Sequence, residues 1–210
     1  MKVHNNETIS MINGLIRSSN VIDQKVLTVL TNISRDNFVP EKYKKFSYAD
    51  YQIPIEHDQK MLLPSIEGRI LQSLSLKGDE SVLVIGTGTG YLTCCLSRLC
   101  GNVHSVDIFD DLIEKAKSNI NNYPNFNNIT LEKLDIKAKW NIIESYDVVV
   151  LTSYVKDEKI LSDNLKNNSK AFLFIGAKNT PIKEAVLVEK FKNNSFIKNI
   201  LFETDTTPLI

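Results

Sequence analysis

The segment Val82-Leu83-Val84-Ile85-Gly86-Thr87-Gly88-Thr89-Gly90 carries the clearest chemical signal in this 210-residue sequence. Branched and aliphatic residues lead into three glycines at alternate positions. The pattern predicts a buried parallel strand that breaks into a tight turn and opens a helix. Gly86, Gly88 and Gly90 let the backbone take a positive φ or pass close to a ligand, which a Cβ would penalise. The N–H groups at the start of the next helix then face whatever lies against the loop.

The spacing is Gly-x-Gly-x-Gly, with Tyr91 and Leu92 directly after the third glycine. A dinucleotide site uses Gly-x-Gly-x-x-Gly, with its third glycine packed close to the strand and a pyrophosphate on the helix end. Further on, Asn102-Val103-His104-Ser105-Val106-Asp107 predicts a second strand ending in a carboxylate. An acid at that tip is placed to accept hydrogen bonds from two ribose hydroxyls. Together they describe an adenosine held without a pyrophosphate, which points to S-adenosyl-L-methionine. The plainer alternative is a structural glycine turn beside a surface aspartate.

The elements that must position these groups follow from periodicity. Strands are expected at Val82–Ile85, Val103–Val106, Ile129–Leu134, Tyr146–Leu151 and Ala171–Ile175, with helices at Tyr91–Leu99, from Asp110, and at Lys159–Leu165. The almost wholly apolar Tyr146–Leu151 run suits a central strand covered on both faces. Ala185–Phe191 and Phe196–Glu203 read as an antiparallel pair closing one edge, across Lys192-Asn193-Asn194-Ser195. The expected fold is α/β: a doubly wound, mostly parallel, Rossmann-like seven-stranded sheet, with an N-terminal helical extension and ligands at the carboxyl ends of the strands.

Residues 1–62 read as a helical lead-in and substrate loop, and 63–210 as the nucleoside-binding α/β part, in one compact domain overall. Asp23 is placed as an N-cap ahead of Val26, Leu27, Val29, Leu30 and Ile33. Residues 34–62 read as irregular, broken by Pro40 and Pro54, while Pro64 suits the first turn of a helix.

Charge is balanced, 25 basic against 25 acidic residues. Composition therefore favours neither nucleic acid nor an anionic membrane as partner. No leader pattern is apparent over Met1–Asn6 and no window reaches membrane-spanning length, so a cytoplasmic location is the simple reading. Cys94, Cys95 and Cys100 fall together after the glycine loop, an odd cluster that makes no disulfide framework and reads as packing residues on one helix. No metal-ligating constellation is expected.

The glycine loop, Asp107, Asp135 and the apolar fourth strand together resemble the class I S-adenosylmethionine-dependent methyltransferases. Upstream, Arg35-Asp36-Asn37-Phe38-Val39-Pro40, Tyr48-Ala49-Asp50 and Ile53-Pro54-Ile55, then His57, Gln59 and Pro64 in order, resemble the lead-in of the protein-L-isoaspartate O-methyltransferases. The resemblance covers roughly residues 20–210. It implies methyl transfer to L-isoaspartyl residues of aged proteins, with isoaspartyl peptides or proteins as partners and a monomer or weak dimer as the assembly. It also implies that Gly86, Thr87, Gly88 and Gly90 border the methionine and ribose. Asp107 then takes the ribose hydroxyls with Ile108 against the adenine, and Asp135 accepts from the adenine amino group beside Ile136.

The chain departs from the family at one segment. Where members usually carry Gly-x-Gly-Gln-Thr-Ile-Ser, it has Glu56-His57-Asp58-Gln59-Lys60-Met61-Leu62, a divergent form without the Thr-Ile-Ser substrate motif. Methyl transfer to a carboxylate is an in-line displacement by a group already anionic at neutral pH, so positioning matters more than a general base. Gln59 and Lys60 are the candidate substrate-positioning residues, the ammonium attracting the carboxylate. Ser65 is a further hydroxyl expected to turn into the helix, His57 and Asp58 are candidates for the pocket mouth, and Leu62 closes the slot. Thr152 and Ser153, expected just past strand four, face the same crevice. Two alternatives stand beside this reading: a methyltransferase for another acceptor, and a retired enzyme acting as a cofactor-binding or partner-binding protein.

Overall fold

The computed structural model of the chain describes residues 6–123, 126–193 and 195–210. Residues 1–5 of the N-terminal stretch, and Asn194 in the last strand connection, lie outside them. Helix α1 (Asn6–Met11) runs into a π turn at Ile12–Ile16 and a 3-10 turn at Arg17–Ser19. Helix α2 (Gln24–Asn32) starts where expected: the Asp23 carboxylate accepts from the N–H groups of Lys25 and Val26 at 2.7 and 3.2 Å. That satisfies two donors which the first helical turn leaves open. Its apolar stripe buries Val26, Leu27, Val29 and Leu30.

Residues 34–62 are more ordered than their sequence suggests. They hold 3-10 turns at Arg35–Phe38 and Glu41–Phe46, followed by a hairpin over residues 53–61. Helix α3 (Pro64–Ser73) has Pro64 in its first turn, where the missing N–H removes no helical bond.

The remainder alternates β1 (Ser81–Ile85), α4 (Tyr91–Ser97), β2 (Asn102–Asp107), α5 (Asp110–Asn121), β3 (Ile129–Lys133), β4 (Val148–Val155), α6 (Lys159–Ser162) and β5 (Ser169–Ile175). Strands β6 (Lys183–Lys190) and β7 (Phe196–Thr204) follow. The seven strands form one sheet in the order β3-β2-β1-β4-β5-β6-β7. β1 to β5 pair in parallel, while β5–β6 and β6–β7 are antiparallel, so the last two strands close one edge as expected.

β1 and the first half of β4 are buried on both faces, which explains their unbroken apolar runs. Strand order reverses between β1 and β4, and in such sheets this switch point opens a crevice at the carboxyl ends. Lead-in residues Ile16, Leu30 and Phe38 pack into the same apolar cluster as Val82 of β1 and Phe172 of β5. No helix among the described residues is long and apolar enough to cross a membrane.

Three expectations need correction. α4 ends at Ser97, so Cys100 lies beyond it in the turn before β2; all three cysteines are nonetheless buried and free. β4 continues to Val155, so Thr152 and Ser153 lie within the strand and not past it. α6 is one turn only, ending at Ser162.

Candidate active site

The crevice is built first by the glycine loop. Gly86 has φ +96°, and a Cβ there would collide with the Thr152 hydroxyl from β4. Thr152 Oγ1 donates to the carbonyls of Ile85 and Gly86, both at 3.1 Å, and so fastens the loop to the strand beside it. Gly90 has φ +88°, and its backbone lies against Ala116 of α5. The N–H groups of Gly86 and Thr87 donate to Val106 O, that of Gly88 to Asp107 Oδ2, and that of Gly90 to Thr87 O. With these four donors committed within the protein, the loop is poorly suited to cradle a phosphate. This is the physical counterpart of the missing pyrophosphate signature.

Asp107 ends β2 at the foot of the crevice and is 8% exposed. Its carboxylate accepts from Gly88 N–H at 3.0 Å and from Phe109 N–H at 3.2 Å. Burial raises its pKa above the usual carboxylate value, while these backbone donors pull it down. Two of about four acceptor positions are then in use, leaving the others to a ligand hydroxyl pair. Leu134 N–H donates to Asp107 O, which brings the end of β3 alongside. There Asp135 is exposed at the rim, its Oδ1 accepting from Lys137 N–H at 2.9 Å. Ile108 and the buried Ile136 supply apolar walls between the two acids.

The opposite wall is the hairpin of residues 53–61. Met61 N–H donates to Ile53 O, and Ile55 N–H to Gln59 O. Gln59 N–H donates to Glu56 O, closing a turn in which His57 and Asp58 have φ +59° and +55°. Positive φ at both central positions is the type I′ arrangement that normally selects glycine or asparagine. Gln59 and Lys60, after the turn, line the crevice. Gln59 Oε1 accepts from Thr207 Oγ1 at 3.1 Å, and Lys60 Nζ donates to Gln52 Oε1 at 3.3 Å. Among the described residues no carboxylate lies within ion-pair distance of Lys60.

Leu62 also faces the crevice, and its carbonyl accepts from Arg35 Nη2 at 2.7 Å. Arg35 is 1% exposed; it also donates to Ser47 O at 3.0 Å and pairs with Glu67 Oε2 at 2.9 Å. Burial pushes Glu67 up to about 7 against the pull of Arg35.

The structure thus brings Gln59, Lys60, Gly86, Thr87, Gly88, Asp107, Ile108, Asp135 and Ile136 onto one crevice. Gly90 is not on its wall, being turned against α5. Ser65 faces away as expected, donating to Asp50 Oδ1 at 2.7 Å. His57 and Asp58 form the hairpin tip and do not line the crevice. Ser153 does, as does Thr152, whose hydroxyl is directed to the backbone carbonyls of β1 and its loop.

Sequence reasoning missed three contributors. Phe109 forms part of the wall beside Asp107, and Glu67 forms part of the floor. The third is the C-terminal tail, which pairs with the end of β4 through Tyr154 N–H to Thr207 O at 2.9 Å and Leu209 N–H to Tyr154 O at 3.0 Å. Thr207 to Ile210 become a third wall. The Arg35 motif was a usable signal for the buried pair; the tail carried none.

A family model described as protein-L-isoaspartate(D-aspartate) O-methyltransferase matches residues 5–210, further towards the N-terminus than the motifs themselves reach. Curated relatives named protein-L-isoaspartate O-methyltransferase include one from Dictyoglomus thermophilum, 30% identical over 165 residues, spanning 78% of this chain and 74% of that protein. Another, from Myxococcus xanthus, is 32% identical over 155 residues and 73% of each chain. Among solved structures, a Plasmodium falciparum protein assigned as a protein-L-isoaspartate O-methyltransferase and crystallised with S-adenosyl-L-homocysteine has a TM-score of 0.82 at 20% identity, covering 98% of this chain and 99% of that one.

Proposed function

The chain belongs to the protein-L-isoaspartate O-methyltransferase family, and on that premise we propose how the residues of its crevice carry the reaction. The activity is S-adenosyl-L-methionine-dependent methyl transfer to isoaspartyl residues of proteins. The cofactor, when bound, supplies a methyl group on a sulfonium centre, open to in-line attack by an oxygen nucleophile.

The residues present suit that cofactor. The buried Asp107 carboxylate has acceptor positions left for a ribose diol. Ile108 and Ile136 offer flat apolar walls to an adenine, with Asp135 beside them as acceptor for its amino group. Gly86, Thr87 and Gly88 offer close backbone approach to the ribose and methionine portions. The observation that carries this reading is Asp107 itself, held at the crevice foot by two backbone donors.

On the acceptor side, Lys60 supplies the positive charge. The substrate carboxylate is ionised at neutral pH and needs orientation more than deprotonation. Lys60 draws it to the hairpin wall, and Gln59, fixed by Thr207, borders the same space. Leu62 is an apolar stop where the family usually has a serine, and Arg35 keeps its backbone in place.

Residues 1–62 and 63–210 are taken as one folding unit, supported by their shared core. Balanced charge supports a partner set without nucleic acid or membrane. Three free buried cysteines agree with a reducing, cytoplasmic setting, and the assembly is taken as a monomer or weak dimer.

The test pairs an isoaspartyl peptide with its normal aspartyl twin under radiolabelled methyl donor. Label on the isoaspartyl peptide alone is expected. Equal labelling, or none while calorimetry shows S-adenosyl-L-homocysteine bound, would overturn the acceptor assignment.

A further inference from the structure

A second depression lies beside the crevice, over the carboxyl ends of β4 and β5, and the function above does not use it. Its floor is apolar, with Trp140, Tyr154 and Ile160, the last 37% exposed. Its rim carries Lys137, Lys156 and Lys178, all exposed. Among the described residues none of these lysines has a carboxylate within ion-pair distance. The one acid of the rim, Asp157, is engaged on Lys159 N–H at 3.0 Å, where it starts α6. Lys183, buried and donating to Ala177 O at 2.9 Å, lies against the Tyr154 ring 4.3 Å from its centroid and is not part of the rim.

Pro208 and Leu209 line this groove and the crevice alike, so only the C-terminal tail separates them. A chain lying in the groove therefore abuts the crevice across that tail. The groove is a broad surface depression lined mostly by apolar side chains, with the lysines at its rim.

We propose that this groove seats an acidic flank of the polypeptide being methylated, the rim lysines facing its carboxylates and the apolar floor taking an intervening side chain. The inference rests on the isoaspartyl reading for its occupant and on charge complementarity and continuity with the crevice for its location. Flank charge then becomes part of substrate selection: exposed ion pairs are individually weak, but three acting together on one tethered chain are worth about tenfold in affinity. The preference fades as salt rises towards the regime where exposed charges are screened.

Trp140 is the one tryptophan of the sequence, so its fluorescence reports groove occupancy without reference to catalysis. The full-length protein, saturated with S-adenosyl-L-homocysteine, is titrated with isoaspartyl peptides of one core sequence and either glutamate-rich or lysine-rich flanks. The expected result is a saturable Trp140 change, about tenfold tighter for the acidic peptide. That preference is expected to be lost in the double variant Lys156→Glu, Lys178→Glu, whose S-adenosyl-L-homocysteine affinity stays unchanged. Equal affinities for the two peptides, a preference surviving in the double variant, or no saturable change would each overturn the proposal. If the titration behaves as expected but neither peptide accepts methyl groups, the groove stands and the acceptor reading falls. Sedimentation of the same samples distinguishes a second copy of the chain as occupant, since dimerisation that quenches Trp140 without peptide would also overturn it.

Discussion

His57 lies flat on Phe109, ring centroids 3.8 Å apart and planes within 4°. The first residue is at the tip of the hairpin, the second is on the crevice wall next to Asp107. The contact therefore ties the acceptor side of the site to the nucleoside side. A hydrogen bond and an ion pair flank it: His57 Nε2 to the Asp111 carboxylate at 2.8 Å and Lys115 Nζ to Glu56 at 2.9 Å. Left-handed backbone costs about 1–2 kcal/mol per residue with a Cβ, hence about 2–4 kcal/mol for His57 and Asp58 together, and an aromatic stack returns about 0.5–1.5 kcal/mol. The stack, acting as a latch, thus offsets only part of the strain in the turn.

Replacing Asp58 with glycine, the residue the family usually has there, removes strain without touching the latch. Asp58→Gly is expected to stabilise by about 1 kcal/mol, raising Tm by about 2–4 °C for a chain of this size. His57→Ala keeps the strain and loses the stack. It is expected to lower Tm and to weaken S-adenosyl-L-homocysteine binding a few-fold by loosening Phe109. Calorimetric scans and titrations of both variants check this, and a Tm unchanged in both would show that the turn is not under strain.

Asp107→Ala removes the proposed ribose acceptor together with the anchor of Gly88. Affinity for S-adenosyl-L-homocysteine is expected to fall by roughly 1–3 kcal/mol, or about 5- to 150-fold, as read by titration calorimetry. An unaltered dissociation constant would falsify the adenosine placement.

Lys60→Ala is expected to raise KM for an isoaspartyl peptide about tenfold while leaving cofactor affinity intact, because the charge acts on the acceptor alone. Leu62→Ser restores the hydroxyl that the family usually carries and is expected to raise kcat/KM, at some cost in Tm from lost apolar burial. Steady-state kinetics separate the two effects. A flat response to Leu62→Ser would show that the carboxylate is oriented by other donors.

Glu67 gives the stability a pH dependence of definite sign. Its carboxyl, ordinarily near 4.5, is pushed up to about 7 by burial, so the folded state holds this proton more tightly than the unfolded chain does. The contribution is complete below about pH 4.5 and is lost as pH rises through about 7, a change on the order of 3 kcal/mol over that window. Denaturant unfolding of the wild type should show this decline between those limits. Glu67→Gln, lower in absolute stability because Arg35 loses its counter-charge, should lack it.

The sequence by itself determined the glycine loop, the carboxylate at the tip of β2, the α2 cap and the alternation of strands and helices. These depend on local chemistry: side-chain period, turn residues and capping, all readable within a few positions. It stopped short wherever a distant segment changed the local rule. By its local pattern strand β4 ends at Leu151, where polar Thr152 and Ser153 follow, but the Thr152 hydroxyl is satisfied by carbonyls of β1 and its loop, so the strand runs on. Only the tertiary structure decided that the tail at Thr207–Ile210 walls the site, that Arg35 reaches Leu62 and Glu67, and that His57 meets Phe109. Each joins segments far apart in the chain, and no local propensity encodes which of them the folded sheet will bring together.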